Sequence, residues 1–563
     1  MYHTLLTNRY LTSRVIPFIA VAAVALCVAL VIIVVSVMTG FLDMVRSSGR
    51  TLMGDVIISY SLTGIPYYQR LITHIKKLPG EPTATPVVDS WGLLKMPYPA
   101  GDHKETETVQ VWGIEPEGFA QVTGYADALY WRPYDPRELA DMAGNDPRRI
   151  LNEPPIGETR TAAQRLENDA LTLHDPRSNR PGIVLGVHVS EGNERQSDGS
   201  IQPVGIWWMP QFEVTLTMLP IDTGGGIIPQ PANKIFPVVN EFFSGVFLID
   251  DTRVMIPLSI AQEMLELSEG RLVDSKTLDD QGLPTDIGVD PARATMVLVR
   301  AAAGVSPDEL RSQVQGAYES FQQELEADDT ALVKPPPSGP AGRVSIRTWE
   351  EQQAAFIDPI EKERELMRTL FSLVYLVCAG LVLSIFWAIV HEKTRDIGIL
   401  RSMGASRLGI SWIFLRYGLV IGAAGAVAGL GLAYLVVHNI NAIHDAMGNP
   451  PVWLAIGMLV LALLSLGLTV YKGRGGELMP VTLGALVTIS LFGVGAVILL
   501  LKEHGGIVVW DPSVYYFTEI PNTMDTFSAV TTMAGAVVFS LIGAFLPAAK
   551  AADTDPVRAL RYE

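Results

Sequence analysis

The segment from His391 to Arg407 reads His-Glu-Lys-Thr-Arg-Asp-Ile-Gly-Ile-Leu-Arg-Ser-Met-Gly-Ala-Ser-Arg. Ile397, Leu400 and Met403 recur at helical spacing, with Arg395, Asp396 and Arg401 around them. A short amphipathic helix of this kind can lay its apolar side in a groove of a partner. The same composition also suits a basic loop on a membrane surface. Groups for making and breaking bonds are scarce elsewhere. The chain has no G-x-x-x-x-G-K-[ST], H-E-x-x-H or C-x-x-C. Gly224-Gly225-Gly226 reads as a flexible turn, and Asp250-Asp251 and Glu350-Glu351 as solvated turns or faces rather than catalytic dyads. The nine histidines are scattered, with His438 and His444 near a membrane edge. Cys27 and Cys378 both lie in apolar runs, so no disulfide framework is expected.

The elements around the docking segment are set by hydropathy. Of 563 residues, 48% are hydrophobic, and they cluster in long uncharged runs at the two ends. About 20 apolar residues cross a hydrocarbon core. Six runs qualify: between Arg14 and Asp43, between Arg368 and His391, then 417–437, 446–471, 478–501 and 526–549. The first reads as a span rather than a cleaved signal, because Ser36-Val37-Met38-Thr39-Gly40 is a poor cleavage site. Basic residues mark alternate loops: Arg9 and Arg14; Lys393, Arg395, Arg401, Arg407 and Arg416; Lys472 and Arg474; Lys550, Arg558 and Arg561. With six spans these fall on one side, which makes both termini cytoplasmic and places 43–367 outside. No carboxylate falls inside the runs, which argues against proton or sodium coupling and for energy supplied from elsewhere. The net charge of -17 sits largely in the middle and argues against a nucleic-acid partner.

The expected organisation is 1–42 (N-terminus and first span), 43–367 (an α+β extracytoplasmic domain) and 368–563 (five further spans). Strand patterns recur in the outer domain at 55–60, 108–113, 182–186, 213–218, 246–249 and 295–300. Helical patterns cover 67–78, 259–267 and 306–327, the last capped by Ser306 before Pro307 and Asp308. Residues 126–181 and 191–204 read as surface loops, and Pro335-Pro336-Pro337 as a stiff connector. Thr348 is expected to cap a helix that leads unbroken into the second span, with Pro359 inside it.

The docking segment resembles the E-K-x-x-D-I-x-x-L-[KR]-x-[ML]-G-A-[ST] signature of the FtsX/MacB-like permeases of ABC transporters. The matching positions are Glu392, Lys393, Asp396, Ile397, Leu400, Arg401, Gly404, Ala405 and Ser406. Other segments are similar to the lipoprotein-releasing LolC/LolE branch. They are Val35 to Phe41, Phe243 to Phe247 with Ala261-Gln262, Thr348-Trp349, Trp510 to Tyr516 with Ile520-Pro521, and Asp555 to Glu563. The resemblance implies a permease with no ATPase of its own, whose loop 391–407 docks on a cytoplasmic ATPase dimer that binds ATP and Mg. It further implies a second permease subunit, identical or sister, a lipoprotein cargo drawn from the outer leaflet of the inner membrane, and a periplasmic carrier. Met38 and Phe41 are the corresponding positions for cargo acyl chains, and Gly226, Ile227, Ile228 and Pro229 for a carrier-hooking loop. The family has four spans, so the hairpin at 446–501 is an addition. A MacB-like efflux permease and an FtsX-like transmembrane signal transmitter are the alternatives. MacB-like pumps usually carry a fused ATPase, and FtsX-like outer domains are much smaller.

Overall fold

The computed structural model of the chain describes residues 15–60, 63–98, 105–142, 144, 146–155, 160–195, 201–220, 230–278, 284–339, 344–448, 452–473, 478–503 and 520–555. Contacts divide them into a helical unit, up to Met44 and again from Pro359, and a mixed unit, Val45–Asp358. The second boundary precedes the expected 367/368, because the helix that enters the apolar run begins well before its last charge.

Among the described residues, eight helices build the helical unit: α1 (Val15–Arg50), α2 (Ala354–Glu392), α3 (Thr394–Ser402), α4 (Arg407–His438), α5 (Ile440–Gly448), α6 (Val452–Gly473), α7 (Leu478–Glu503) and α8 (Thr526–Ala552). Five of them (α1, α2, α4, α6 and α8) are long and apolar enough to cross a membrane. The expected sixth run forms α7, whose apolar stretch is the shorter Gly484–Leu500. Small residues let the helices touch, as is usual where lipid supplies no hydrophobic drive for association. A Cβ on Gly418 of α4 would stand 2.6 Å from the Cβ of Ala544 on α8, and one on Gly425 would stand 2.6 Å from that of Val24 on α1. The hydroxyl of Ser540 on α8 donates to the Gly418 carbonyl at 3.0 Å. Helices α6 and α7 pack chiefly on each other. The Thr488 hydroxyl donates to that of Ser465 at 3.0 Å, Gly484 leaves room for Thr469, and Leu463, Leu464, Leu468, Leu486 and Ile489 stay exposed.

The mixed unit is built on nine strands: β1 (Val56–Ser59), β2 (Thr83–Lys95), β3 (Thr106–Ile114), β4 (Ile183–Gly186), β5 (Glu213–Met218), β6 (Ala232–Phe242), β7 (Arg253–Pro257), β8 (Met296–Arg300) and β9 (Ser345–Thr348). Their order is β5-β6-β4-β7-β3-β2-β8-β1-β9, and β5 also pairs with β2. Strands β2 to β7 therefore close on themselves, while β8, β1 and β9 extend from the first half of β2. The β6–β4 and β7–β3 pairs are parallel and the rest antiparallel. The helix Pro307–Ala327 covers this framework with Leu310, Val314, Ala317, Tyr318, Phe321 and Leu325, one stripe of a 3.6-residue period. Ser306 caps it by accepting from the Glu309 amide.

Four expectations are corrected. Residues 246–249 are not a strand but open the helix Phe247–Thr252. The Asp250 carboxylate accepts from the amides of Ser244 and Gly245, and Gly245 turns the chain at φ 80°. Asp250 is thus fully buried, not a solvated turn. The stretch 126–181 is not all surface loop: it holds the helix Ala162–Thr172, and Tyr130 and Trp131 are buried with Val187 and Ile201. Finally, the helix entering the second run is interrupted. Thr348 caps a single turn, Trp349–Gln352, and α2 starts after Gln353. The hydrogen-bond ladder still crosses this point through Gln353 N to Trp349 O and Ile357 N to Gln353 O, both 3.0 Å.

Candidate docking site and its relatives

Helix α3 joins α2 to α4 and is fixed at both ends by its own sequence. Lys393 stands before its first turn and pairs with Asp396 at 3.0 Å. The Thr394 hydroxyl donates to the Val390 carbonyl at 3.0 Å. At the far end Gly404 adopts φ 94°, the left-handed conformation that glycine takes without strain. The amide of Ala405 reaches back to the Leu400 carbonyl at 3.1 Å, and Arg401 Nη1 donates to the Ala405 carbonyl at 3.2 Å. The Ser406 hydroxyl then caps α4 by accepting from the Gly409 amide at 3.1 Å. The Gly-Ala-Ser run is therefore a stop, a turn and a start in three residues.

Ile397 is only 3% exposed, and it packs with Leu400 and Ala405 among residues of α1, α2, α4 and α8. These apolar positions anchor α3 to its own unit. The open side of this segment carries Ile399 on α3, Met403 in the turn after it at 68% exposure and Leu408 at the start of α4 at 84%, beside exposed Glu392, Arg395 and Ser402. Of the apolar triad read from the spacing, only Met403 lies on this face. Ile399 and Leu408 were not singled out, although Ile399 and Met403 are four residues apart and so share a helix side.

Met38 and Phe41 near the end of α1 are half-buried. Between them, Gly40 makes a close approach to Pro521, and the side-chain amide of Asn441 brackets Ile520, donating to its carbonyl at 3.2 Å and accepting from its amide at 2.8 Å. Gly226, Ile227, Ile228 and Pro229 lie outside the described residues. Their segment joins β5 to β6, whose register ends on the Met218–Ala232 pair.

In the mixed unit the buried ionisable groups are tied to neighbours that hold the fold. Glu241 accepts from Trp131 Nε1 at 2.8 Å and from Asn193 Nδ2 at 2.6 Å, and burial pushes its carboxyl up to about 7. Burial also pushes Asp250 up to about 7. Arg253 lies 3.8 Å above the Trp112 ring and donates to Gln110, and burial lowers it to about 10. Burial raises Asp89 despite the nearby Arg253.

Comparison with known proteins places relatives on this geometry. Residues 368–478, which contain α3, match the FtsX-like permease C-terminal family. The chain is 20% identical over 549 residues to the lipoprotein-releasing system transmembrane protein LolC of Neisseria meningitidis serogroup B, covering 97% of this chain and 94% of that one. It is 24% identical over 222 residues to the LolC protein of Xylella fastidiosa (strain 9a5c), 39% of this chain and 41% of the relative. With the Haemophilus influenzae LolC protein it shares 27% over 109 residues, 19% of this chain and 28% of the relative. The comparisons thus agree with the resemblance carried by the docking motif: residues 368–478 match an FtsX-like permease domain, and the chain is similar to a LolC protein along nearly its whole length.

Proposed function

We propose that the chain is a permease subunit of an ATP-driven complex that lifts lipoproteins from the outer leaflet of the inner membrane and passes them to a periplasmic carrier. The observation that carries this reading is the near full-length similarity to a protein named for lipoprotein release. In this reading α7 completes six spans, both termini are cytoplasmic and the mixed unit is periplasmic. A partner ATPase dimer binds ATP and Mg, and a second permease subunit completes the complex. The segment docks on the ATPase through exposed Ile399 on α3, Met403 in the turn after it and Leu408 at the start of α4, while Ile397 and Leu400 transmit the push into the helices they pack against. Met38 and Phe41 contact the cargo acyl chains, and the β5–β6 connection with Gly226, Ile227, Ile228 and Pro229 engages the carrier. Removing an acyl chain from hydrocarbon costs about 0.8 kcal/mol per CH₂, so spontaneous release of several chains is negligible and an ATP-driven step is required.

The test is affinity purification of the full chain from its native membrane with mass spectrometry of what accompanies it. A small ATPase with acylated lipoproteins is the expected result. An ATPase with a cell-wall hydrolase or an adaptor protein would overturn the cargo, and no ATPase would overturn the permease reading. Within the complex, Met403→Glu is expected to abolish ATPase stimulation with the chain still folded, whereas Ile397→Ala lowers stability. Full stimulation in Met403→Glu would refute the docking face.

A further inference from the structure

Within the mixed unit, the strands Gly270–Leu278 and Pro284–Asp290 pair with each other and, among the described residues, with no other strand. Pro284–Asp290 therefore has a free edge, a row of backbone donors and acceptors of the kind that sheets usually cover. A cavity of about 680 Å³ lies against it, inside the range of roughly 300–1,000 Å³ typical of ligand sites. Its lining includes the consecutive residues Ile287, Gly288 and Val289 but no residue of Gly270–Leu278. Neighbouring residues of a strand point to opposite faces. A cavity that touches three in a row thus runs along the edge rather than over one face. Its other walls come from the start of the helix Tyr68–Lys76 and from the loop that carries Asp329 and Leu332.

Two features suit this edge to an incoming chain. The first is apolar. Leu272 stands opposite Gly288 and Val273 opposite Asp286, so Ile287 is an extra residue, a β-bulge opposite no residue of the paired strand. Ile287 and Val289 are about half exposed, and so is Leu332, whose tip fills the space that a Cβ on Gly288 would need. Single exposed apolar residues are ordinary, but these three converge on one cavity. The second feature is acidic. Arg70 in the lining is already taken up by Asp328 at 3.0 Å and lies over the Tyr67 ring. Glu269 and Asp329, also in the lining, are exposed, and neither has an ion pair or side-chain hydrogen bond among the described residues. We propose that this edge binds, by strand addition, an extended peptide segment of alternating apolar and basic residues. The peptide backbone pairs with Pro284–Asp290, its apolar side chains lie beside Ile287 and Val289, and its basic ones reach Glu269 and Asp329. Main-chain pairing supplies affinity in such a mode, and the alternating side chains supply selectivity.

The experiment is fluorescence anisotropy of a fluorescein-labelled Val-Lys-Val-Lys-Val-Lys peptide titrated with the full chain in detergent. Saturable binding is expected, roughly tenfold weaker when Glu replaces Lys in the peptide and roughly tenfold weaker when Ser replaces Val. Methylating the amides of one alternate set, the Val or the Lys residues, should abolish binding, and methylating the other set should leave it, because only one edge of an added strand faces its neighbour. The double variant Glu269→Gln with Asp329→Asn should bind the peptide roughly tenfold more weakly. Both positions are exposed, so folding is expected to survive, and circular dichroism checks it. No saturable binding, or equal binding of the parent and both methylated peptides, would overturn the proposal. Equal binding of the Lys and Glu peptides, or an unaffected double variant, would overturn it as well. A concentration-dependent dimer that Val289→Asp dissolves, with no peptide bound to the unaltered chain, would overturn it in favour of a second copy on the same edge.

Discussion

The two units are held together by opposite choices of side chain. The mixed unit fills its core with large groups: Trp112, Trp131, Tyr318, Phe321 and Phe242 are fully buried. The helical unit packs through small ones, with Gly418 against Ala544 and Gly425 against Val24. The difference follows from the solvent. In water, each large apolar side chain removed from contact contributes about 1.5–3 kcal/mol, so bulk is favoured. In lipid that term vanishes between helices, and close approach of backbones takes its place. At these positions, damage should therefore run in opposite directions: truncation of a large core ring hurts the mixed unit, and enlargement of a contact glycine hurts the helical unit.

The largest expected effect is in the mixed unit. Phe321→Ala should cost about 3–5 kcal/mol, read as a lowered midpoint in chemical unfolding of the purified chain. A loss below ~1 kcal/mol would break the contrast from that side. In the helical unit, Gly418→Leu should cost about 1–3 kcal/mol by forcing α4 from α8, seen as a drop in thermal stability in detergent. Gly418→Ala should give a smaller drop, and tolerance of Leu would show that the small residues are incidental.

Buried charge sharpens the comparison further. Glu241 and Asp250 are both pushed up to about 7 in the folded chain, well above their values when unfolded. Between roughly pH 4.5 and 7 the folded state therefore holds more protons than the unfolded one. The stability they contribute is full below that range and is lost as pH rises through about 7. A melting series should show the mixed unit more stable at pH 5 than at pH 8, by on the order of 2 kcal/mol per group. Glu241→Gln should flatten the slope, and an unchanged slope would remove Glu241 from this account. The smallest effect belongs to the α6–α7 hairpin: Thr488→Val removes the bond to Ser465 and should cost about 0.6 kcal/mol, confined to α6 and α7.

Much of this was legible in the residues. Hydropathy found the long helices, since an apolar run has few alternatives. The pattern at 213–218 gave its strand with the same limits, because alternate residues Val214, Leu216 and Met218 face the core. Ser306 announced its helix by capping chemistry. The longest strand, β2, was missed: Pro86, Asp89 and Gly92 interrupt any period, and it is held by pairing with β3, β8 and β5 rather than by local preference. At 246–249 four apolar residues suit strand or helix equally, and Asp250 decided through bonds to Ser244 and Gly245. The docking motif was legible as a motif, but not its orientation. Spacing alone cannot say whether Ile397 or Met403 meets the partner, because that depends on the helices packed beneath.

The position of β1 sets a timetable. Val56–Ser59 pairs on one side with Met296–Val299 and on the other with Ser345–Thr348, so the first strand made finds neither neighbour until nearly the whole domain has been synthesised. At roughly 5–20 residues per second that delay is on the order of tens of seconds. Through it, an apolar Val-Ile-Ile segment waits with both edges unpaired while its anchoring helix is already in place. The nascent domain is therefore exposed to mispairing and proteolysis for a period fixed by topology alone, and it depends on whatever shields the strand until Thr348 emerges.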